Sequence, residues 1–331
     1  MKIIALEEHL VNKAVGAATG SIIAQNFPYA QQFRKPNPAD APNPIDLFEL
    51  GERRILEMDK AGIDMEVVSY TNPTQWLTGS EGQDIARQAN DELAQLIKPY
   101  PERFRAFATL AWGDPAAAAD ELRRTVKELG FVGTLLSGRP QPGNIFLDDK
   151  AWYPMWEALT ELDLPIYIHP NYTSNDACKA YYDNMDDQLA TILSTYGYGW
   201  HYEAGLEVIR MILGGVFEKF PTLKVLSGHW GEMVPYFLPR LDQMFKPEVT
   251  GLPGKISDYY KRNVWVTPSG VYDYDDLQYF VCKLGIEHLA FSADWPYVPK
   301  TDARTFLTEA PISDTDKEKF SHLTAEKLLH L

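Results

Sequence analysis

The sequence predicts an α/β fold, a (β/α)8 TIM barrel with long loops after strands 1 and 5, on three observations. Eight short apolar runs rich in β-branched residues alternate with stretches of helical period. No Gly-x-Gly-x-x-Gly turn, the mark of a doubly wound nucleotide-binding sheet, follows the first run. The length of 331 residues lies within reach of one large barrel, so residues 1–331 are expected to form one domain.

The eight runs are residues 3–9, 65–70, 106–111, 132–137, 165–169, 224–229, 264–269 and 289–294. Helical patterns follow at 45–62, 81–98, 115–130, 151–163, 203–220, 232–245 and 274–285, and the chain closes on a helix over 314–329. Asp114 before Pro115 gives an N-cap and a first-turn proline, and Gly62, Gly130 and Gly285 stop their helices. Two connections, 10–44 and 170–200, exceed the usual length of about two to six residues. Both follow strand C-termini, where a barrel builds its active site. They are expected as lids and substrate walls, or else as cover for an apolar patch or a subunit contact.

Composition narrows the partners. Lys and Arg number 31 against 46 Asp and Glu, a formal charge of −15. That argues against nucleic acid and anionic membranes, both of which require clustered positive charge. Hydrophobic residues at 45% and charged residues at 23% suit a chain with a sizeable core. Cys178 and Cys282 are too few for a disulfide framework, residues 1–9 leave no room for a signal-peptide core, and no apolar run reaches membrane-spanning length. A cytoplasmic protein is expected.

Strand alternation places Glu7 and His9 on the face of Ile3 and Ala5, with Ile4, Leu6 and Leu10 on the other. A carboxylate and an imidazole then stand one above the other at the mouth of strand one, while Glu8 faces away and is structural. An acid-x-His pair is by itself a weak signal, since a surface salt bridge has the same spacing. His169 closes strand five and Asp294 closes strand eight at the same rim, and this strengthens it. Two imidazoles and two carboxylates suit Zn²⁺, Mn²⁺ or Fe²⁺ and leave a coordination position open. His229 ends strand six, with Glu232 three residues on in the first turn of the next helix. The carboxylate can orient the imidazole for proton transfer or substrate binding, the alternative being a histidine that caps the helix from Gly231. His201, His288, His322 and His330 read as ordinary surface or packing residues.

These residues resemble a known family. Leu6-Glu7-Glu8-His9, Tyr167-Ile168-His169-Pro170, Gly228-His229-Trp230-Gly231-Glu232 with Pro235-Tyr236 and Arg240-Leu241, and Phe291-Ser292-Ala293-Asp294-Trp295-Pro296 are similar to the decarboxylase branch of the metal-dependent amidohydrolase superfamily. That branch includes the γ-resorcylate, 2,3-dihydroxybenzoate, 5-carboxyvanillate and aminocarboxymuconate semialdehyde decarboxylases. The resemblance reaches to Thr324-Ala325-Glu326-Lys327-Leu328-Leu329, where the family more often shows Asn-Ala.

The resemblance implies that Glu7, His9, His169 and Asp294 bind one divalent metal, Zn²⁺ or Mn²⁺, and that His229 and Glu232 form the catalytic dyad. Arg240 matches an arginine that holds substrate, in some members from the neighbouring subunit, so a homodimer or homotetramer is expected. From the loop after strand one Phe27, Tyr29 and Arg34 are available, with Phe27 and Tyr29 taken as substrate-binding. The activity implied is non-oxidative decarboxylation of a hydroxylated aromatic acid, with the metal chelating the carboxylate and an ortho oxygen and Asp294 protonating the ring carbon. The alternatives are a mononuclear hydrolase or hydratase of the same superfamily and a metal-free binding protein. Strand four ends Leu135-Leu136-Ser137-Gly138, without the lysine that bridges two metals in many hydrolase members.

Overall fold

β-Branched and aromatic runs set the strands of the computed structural model, which describes residues 1–29, 42–299 and 302–331. The strands are β1 (Ile4–Leu10), β2 (Met65–Tyr70), β3 (Phe104–Ala106), β4 (Thr134–Ser137), β5 (Ile166–His169), β6 (Val225–Ser227) and β7 (Val264–Val266). All pair in parallel, as a three-stranded sheet β1-β2-β3 and a four-stranded sheet β4-β5-β6-β7. Isolated bridges carry the ring onward: Ala108 pairs with Thr134, Leu289 with Val266 and Trp295 with Glu8. Helices between successive strands complete the parallel β/α arrangement of a TIM barrel.

Two expected strands differ for a traceable reason. The run 289–294 is extended but makes no ladder: Leu6 N bonds Phe291 O at 3.0 Å and Ala290 N bonds Val266 O at 3.0 Å. The Glu8 carboxylate takes the amides of Ala293 (2.8 Å) and Trp295 (3.3 Å), and Asp294 between them turns to φ 60. Strand three lies earlier than 106–111 because Asn90, on helix Gly79–Ile97, captures both backbone groups of Thr109 at 2.9 Å. A side chain there does the work of a neighbouring strand.

The expected long loops carry helices of their own. Lys13–Asn26 follows β1, with Asn12 Oδ1 accepting from Val15 N at 3.0 Å, and Asn175–Tyr182 and Asp187–Ser194 follow β5. The pattern at 45–62 divides at Gly51 into Pro44–Phe48 and Glu52–Ala61. Arg34 lies outside the described residues.

Alternation sorts the strand residues into two cores. Ile4, Leu6, Val67, Leu135, Tyr167 and Leu226 pack inside the ring, while Ile3, Ala5, Val68, Leu136, Ile168 and Val225 join the core shared with the helices. In β1 the register breaks: Ala5 is opposite Glu66 but Glu8 is opposite Val68, so two residues oppose one. This β-bulge corrects the simple alternation. It turns Glu7 and His9 away from the Ile3 and Ala5 face and into the mouth.

Arg54 on helix Glu52–Ala61 anchors the bulged strand. Its Nε meets Glu66 Oε2 at 2.6 Å and its Nη1 donates to the His9 carbonyl at 2.9 Å, all buried. Arg54→Ala removes the buried cation paired with Glu66 and is expected to cost about 3–5 kcal/mol in denaturant unfolding. A loss well under 1 kcal/mol contradicts the anchoring role.

Candidate active site

Side chains from three chain segments meet at the C-terminal mouth of the ring. Glu7 and His9 come from β1, His169 is the last residue of β5, and Asp294 follows the extended segment. One ligand atom from each lies within 4.8 Å of all the others. His9 Nε2 is 3.2 Å from Asp294 Oδ1, His169 Nε2 is 3.6 Å from Glu7 Oε1, and the two imidazole rings stand 4.7 Å apart. All four residues are buried.

Surrounding groups aim these atoms. Tyr167 OH, at 2.5 Å, and Ser269 Oγ both donate to Glu7 Oε2, and Ser69 Oγ sits 3.2 Å from His9 Nδ1. Glu7 Oε1 and His9 Nε2 are left buried without a hydrogen-bond partner. Burial raises the proton affinity of Glu7, against the pull of the nearby histidines, and the same burial keeps His169 neutral, the form that ligates a metal. Burial also opposes ionisation of Asp294, but the His229 and His9 imidazoles outweigh it and hold the carboxyl below its usual range. Orphaned, converging N and O donors of this kind fit a divalent cation.

A second cluster adjoins the first. β6 ends at Ser227 rather than at His229, and His229 through Met233 run at φ 47, 56, 76, 52 and 65, a left-handed turn before helix Val234–Met244. Each non-glycine residue there carries strain of roughly 1–2 kcal/mol. His229 N to Ser269 Oγ and Trp230 N to Thr267 O, both 2.8 Å, hold the turn. Glu232 therefore lies in the turn and not in the helix. Its Oε1 meets His229 Nδ1 at 2.8 Å, and His229 Nε2 faces Asp294 Oδ2 at 3.8 Å. Burial would lower the proton affinity of His229, but the Glu232, Glu7 and Asp294 carboxylates carry it well above the ordinary value. Burial works the other way on Glu232, and His229 and His201 hold it low.

His201 corrects the expectation of a packing residue. It sits in the first turn of helix Gly199–Leu213 with its Nδ1 2.9 Å from Glu232 Oε2 and its ring 4.3 Å from that of His229. No motif spacing links position 201 to 229; the one available signal was its place directly after the long connection from β5. His288, His322 and His330 do lie elsewhere, against Val264 O, Glu318 and Asp163 O.

The remaining expected residues are not drawn into these clusters. Phe27 is buried in a stack with Trp76 (4.9 Å) and Tyr172 (5.5 Å), and the Tyr29 hydroxyl donates to the Thr173 carbonyl. They tie the segment after β1 to the one after β5. Arg240 is exposed on helix Val234–Met244 and reaches Gln243 Oε1 at 3.4 Å.

The family model described as amidohydrolase matches residues 40–331. The chain belongs to the amidohydrolase family. γ-Resorcylate decarboxylase of Polaromonas sp. JS666 is 33% identical over 295 residues, covering 86% of this chain and 89% of its own. The structure of 5-carboxyvanillate decarboxylase from Sphingomonas paucimobilis superposes with a TM-score of 0.87 at 30% identity, covering 100% of this chain and 99% of that one. Dihydroxybenzoic acid decarboxylase from Polaromonas sp. JS666, with bound manganese and 2-nitroresorcinol, gives 0.84 at 29% identity over 100% and 97%. These relatives place the chain in the decarboxylase branch of the amidohydrolases, as its motifs suggested. The amidohydrolase match begins after Glu7 and His9, so the bulged strand is covered by the whole-chain structural likeness. No helix among the described residues is long and apolar enough to cross a membrane.

Proposed function

We propose that the chain is a metal-dependent, non-oxidative decarboxylase of a hydroxylated aromatic carboxylic acid. The observation that carries this is the convergence of Glu7, His9, His169 and Asp294 beside the His229–Glu232 pair, in a chain whose relatives are decarboxylases of such acids. The four residues would hold Zn²⁺ or Mn²⁺, which when bound supplies positive charge and a template for the substrate's oxygens.

The protein's own groups handle the proton. Breaking the bond to the carboxylate directly would leave a carbanion in the plane of the ring, so the ring carbon is protonated first. Asp294 is the donor, recharged from the Nε2–H of His229, which faces it. Glu232 keeps Nδ1 of His229 as a donor and so aims Nε2 at Asp294. Loss of CO2 then returns the bonding pair to the ring.

Arg240 acts in this proposal from the neighbouring subunit of a homodimer, or of a homotetramer built from it. Tyr236, Phe237 and Met244 are 47%, 58% and 51% exposed at helical spacing around it, an apolar face for such a contact. The unpaired Cys178 and Cys282 suit the cytoplasm. The test is incubation of the manganese- or zinc-loaded protein with a panel of ortho-hydroxybenzoic acids. CO2 and the matching phenol are expected in equal amounts; release of a hydrolysis product, or no reaction across the panel, contradicts the proposal.

A further inference from the structure

The cluster beside the mouth carries a donor set with a use beyond proton transfer. His201, His229 and Glu232 each bring one nitrogen or oxygen within 4.8 Å of the others. Two imidazoles and one carboxylate are a ligand set found in catalytic zinc sites. Glu232 Oε1 meets His229 Nδ1 at 2.8 Å and its Oε2 meets His201 Nδ1 at 2.9 Å, with the two rings 4.3 Å apart. Neighbouring ligands on a tetrahedral zinc stand about 3.3 Å apart, so each carboxylate–imidazole contact need widen by only about half an ångström.

We propose that these three residues form a second, inhibitory site for Zn²⁺, filled when zinc is in excess over the ion at the mouth. The inhibition rests on the decarboxylase assignment above; the binding does not. At the mouth, Glu7 Oε1 and His9 Nε2 are buried without hydrogen-bond partners and gain most from a cation. The donors of the second cluster already share protons, so zinc fills it later. The outer nitrogen of His201 suits the exchange. Its Nε2 lies 3.1 Å from the Trp200 indole nitrogen and 3.0 Å from the Tyr196 carbonyl, and so has a partner whichever ring nitrogen holds the proton. With the proton on Nε2, the Tyr196 carbonyl fixes the ring, as backbone carbonyls do for metal-bound histidines, and Nδ1 is free to ligate. The left-handed turn from His229 to Met233 holds His229 and Glu232 at their spacing before any ion arrives. His201 and His229 keep 16% and 15% of their side chains exposed, which gives an ion a way in from solvent.

The exchange balances. His201 moves its Nδ1 proton to Nε2, His229 releases its Nδ1 proton to water, and Zn²⁺ takes the place between the two nitrogens and Glu232. The carboxylate charge that held a proton attracts a dication more strongly. His229 Nε2 keeps its hydrogen, but giving it to Asp294 would now leave an imidazolate instead of a neutral ring. Proton delivery therefore stops. Carboxylate-rich sites suit Mn²⁺ and imidazole-rich ones suit Zn²⁺, so manganese leaves this cluster to its protons.

The test adds excess Zn²⁺ to the manganese-loaded protein and measures anomalous scattering at both metal edges. Manganese is expected at the mouth and zinc among His201, His229 and Glu232, with CO2 release about a hundredfold lower, the low end of what a general acid supplies. A mild chelator that leaves manganese bound is expected to restore the rate. In His201→Ala, measured against its own rate before zinc is added, half-inhibition is expected to need about a hundredfold more zinc, the upper end of the loss from disturbing even a ligand's outer partner. Zinc absent from the second cluster, zinc bound there without loss of rate, or His201→Ala inhibited at the wild-type zinc concentration overturns the proposal. The scattering result on the wild type decides the binding if the variant fails to fold. Zinc seated in the cluster of a manganese-loaded protein that releases no CO2 overturns the decarboxylase assignment instead.

Discussion

Asp294→Asn is expected to lower CO2 release about a thousandfold, within the range set by removal of a general acid. The substitution keeps the size of the side chain and its place between the Glu8-bound amides of Ala293 and Trp295, so the left-handed turn at φ 60 has no steric reason to change. What goes is the oxygen that receives a proton from His229 Nε2 at 3.8 Å and passes it to the ring. Because Asp294 also faces His9 Nε2 and belongs to the metal-holding group, the comparison is made at saturating metal, with bound metal measured in both proteins. Retained substrate binding with turnover lost is the expected pattern. Full turnover removes Asp294 from the chemistry.

His169→Ala is expected to lose both the metal and all measurable turnover. Burial keeps the imidazole neutral, so one of its nitrogens carries a lone pair, and its Nε2 stands 3.6 Å from Glu7 Oε1 among the other donors. Alanine leaves three donors, and the imidazole that stands 3.6 Å from Glu7 Oε1 is gone. Glu7→Gln is expected to act in the same direction with a smaller loss, since an amide oxygen still coordinates but carries no charge. Metal content by elemental analysis, alongside CO2 release, checks both. If His169→Ala binds metal as well as wild type does, the four-residue site is wrong.

Much of this site was legible in the sequence because it is built on strand ends. His169 needs only the end of an apolar run to be placed at the rim, and the acid-x-His spacing of Glu7 and His9 keeps the two together whichever way the strand faces. Their direction was not legible. A bulge is a register difference between β1 and β2, and one strand's sequence does not contain its partner's register. The end of the run 289–294 puts Asp294 at the rim, where the structure also has it, though the run makes single bridges and its Ala293 amide goes to the Glu8 carboxylate. His229 and Glu232 were paired by spacing, while the left-handed turn that joins them carries only one glycine, Gly231, among five positive φ residues. His201 reaches Glu232 through the fold rather than through spacing, so no pattern in the sequence singles it out. The helices after β1 and β5 leave little periodic signal in the sequence, because helix Lys13–Asn26 has a small-residue composition and the segment at 175–194 is broken into two short helices.

Anomalous scattering at the manganese edge from crystals of the metal-loaded chain addresses the central claim most directly. The expected result is one peak at coordination distance, about 2.0–2.3 Å, from Glu7, His9, His169 and Asp294. A mouth without a peak in a catalytically active crystal, or a peak seated instead among His201, His229 and Glu232, contradicts it.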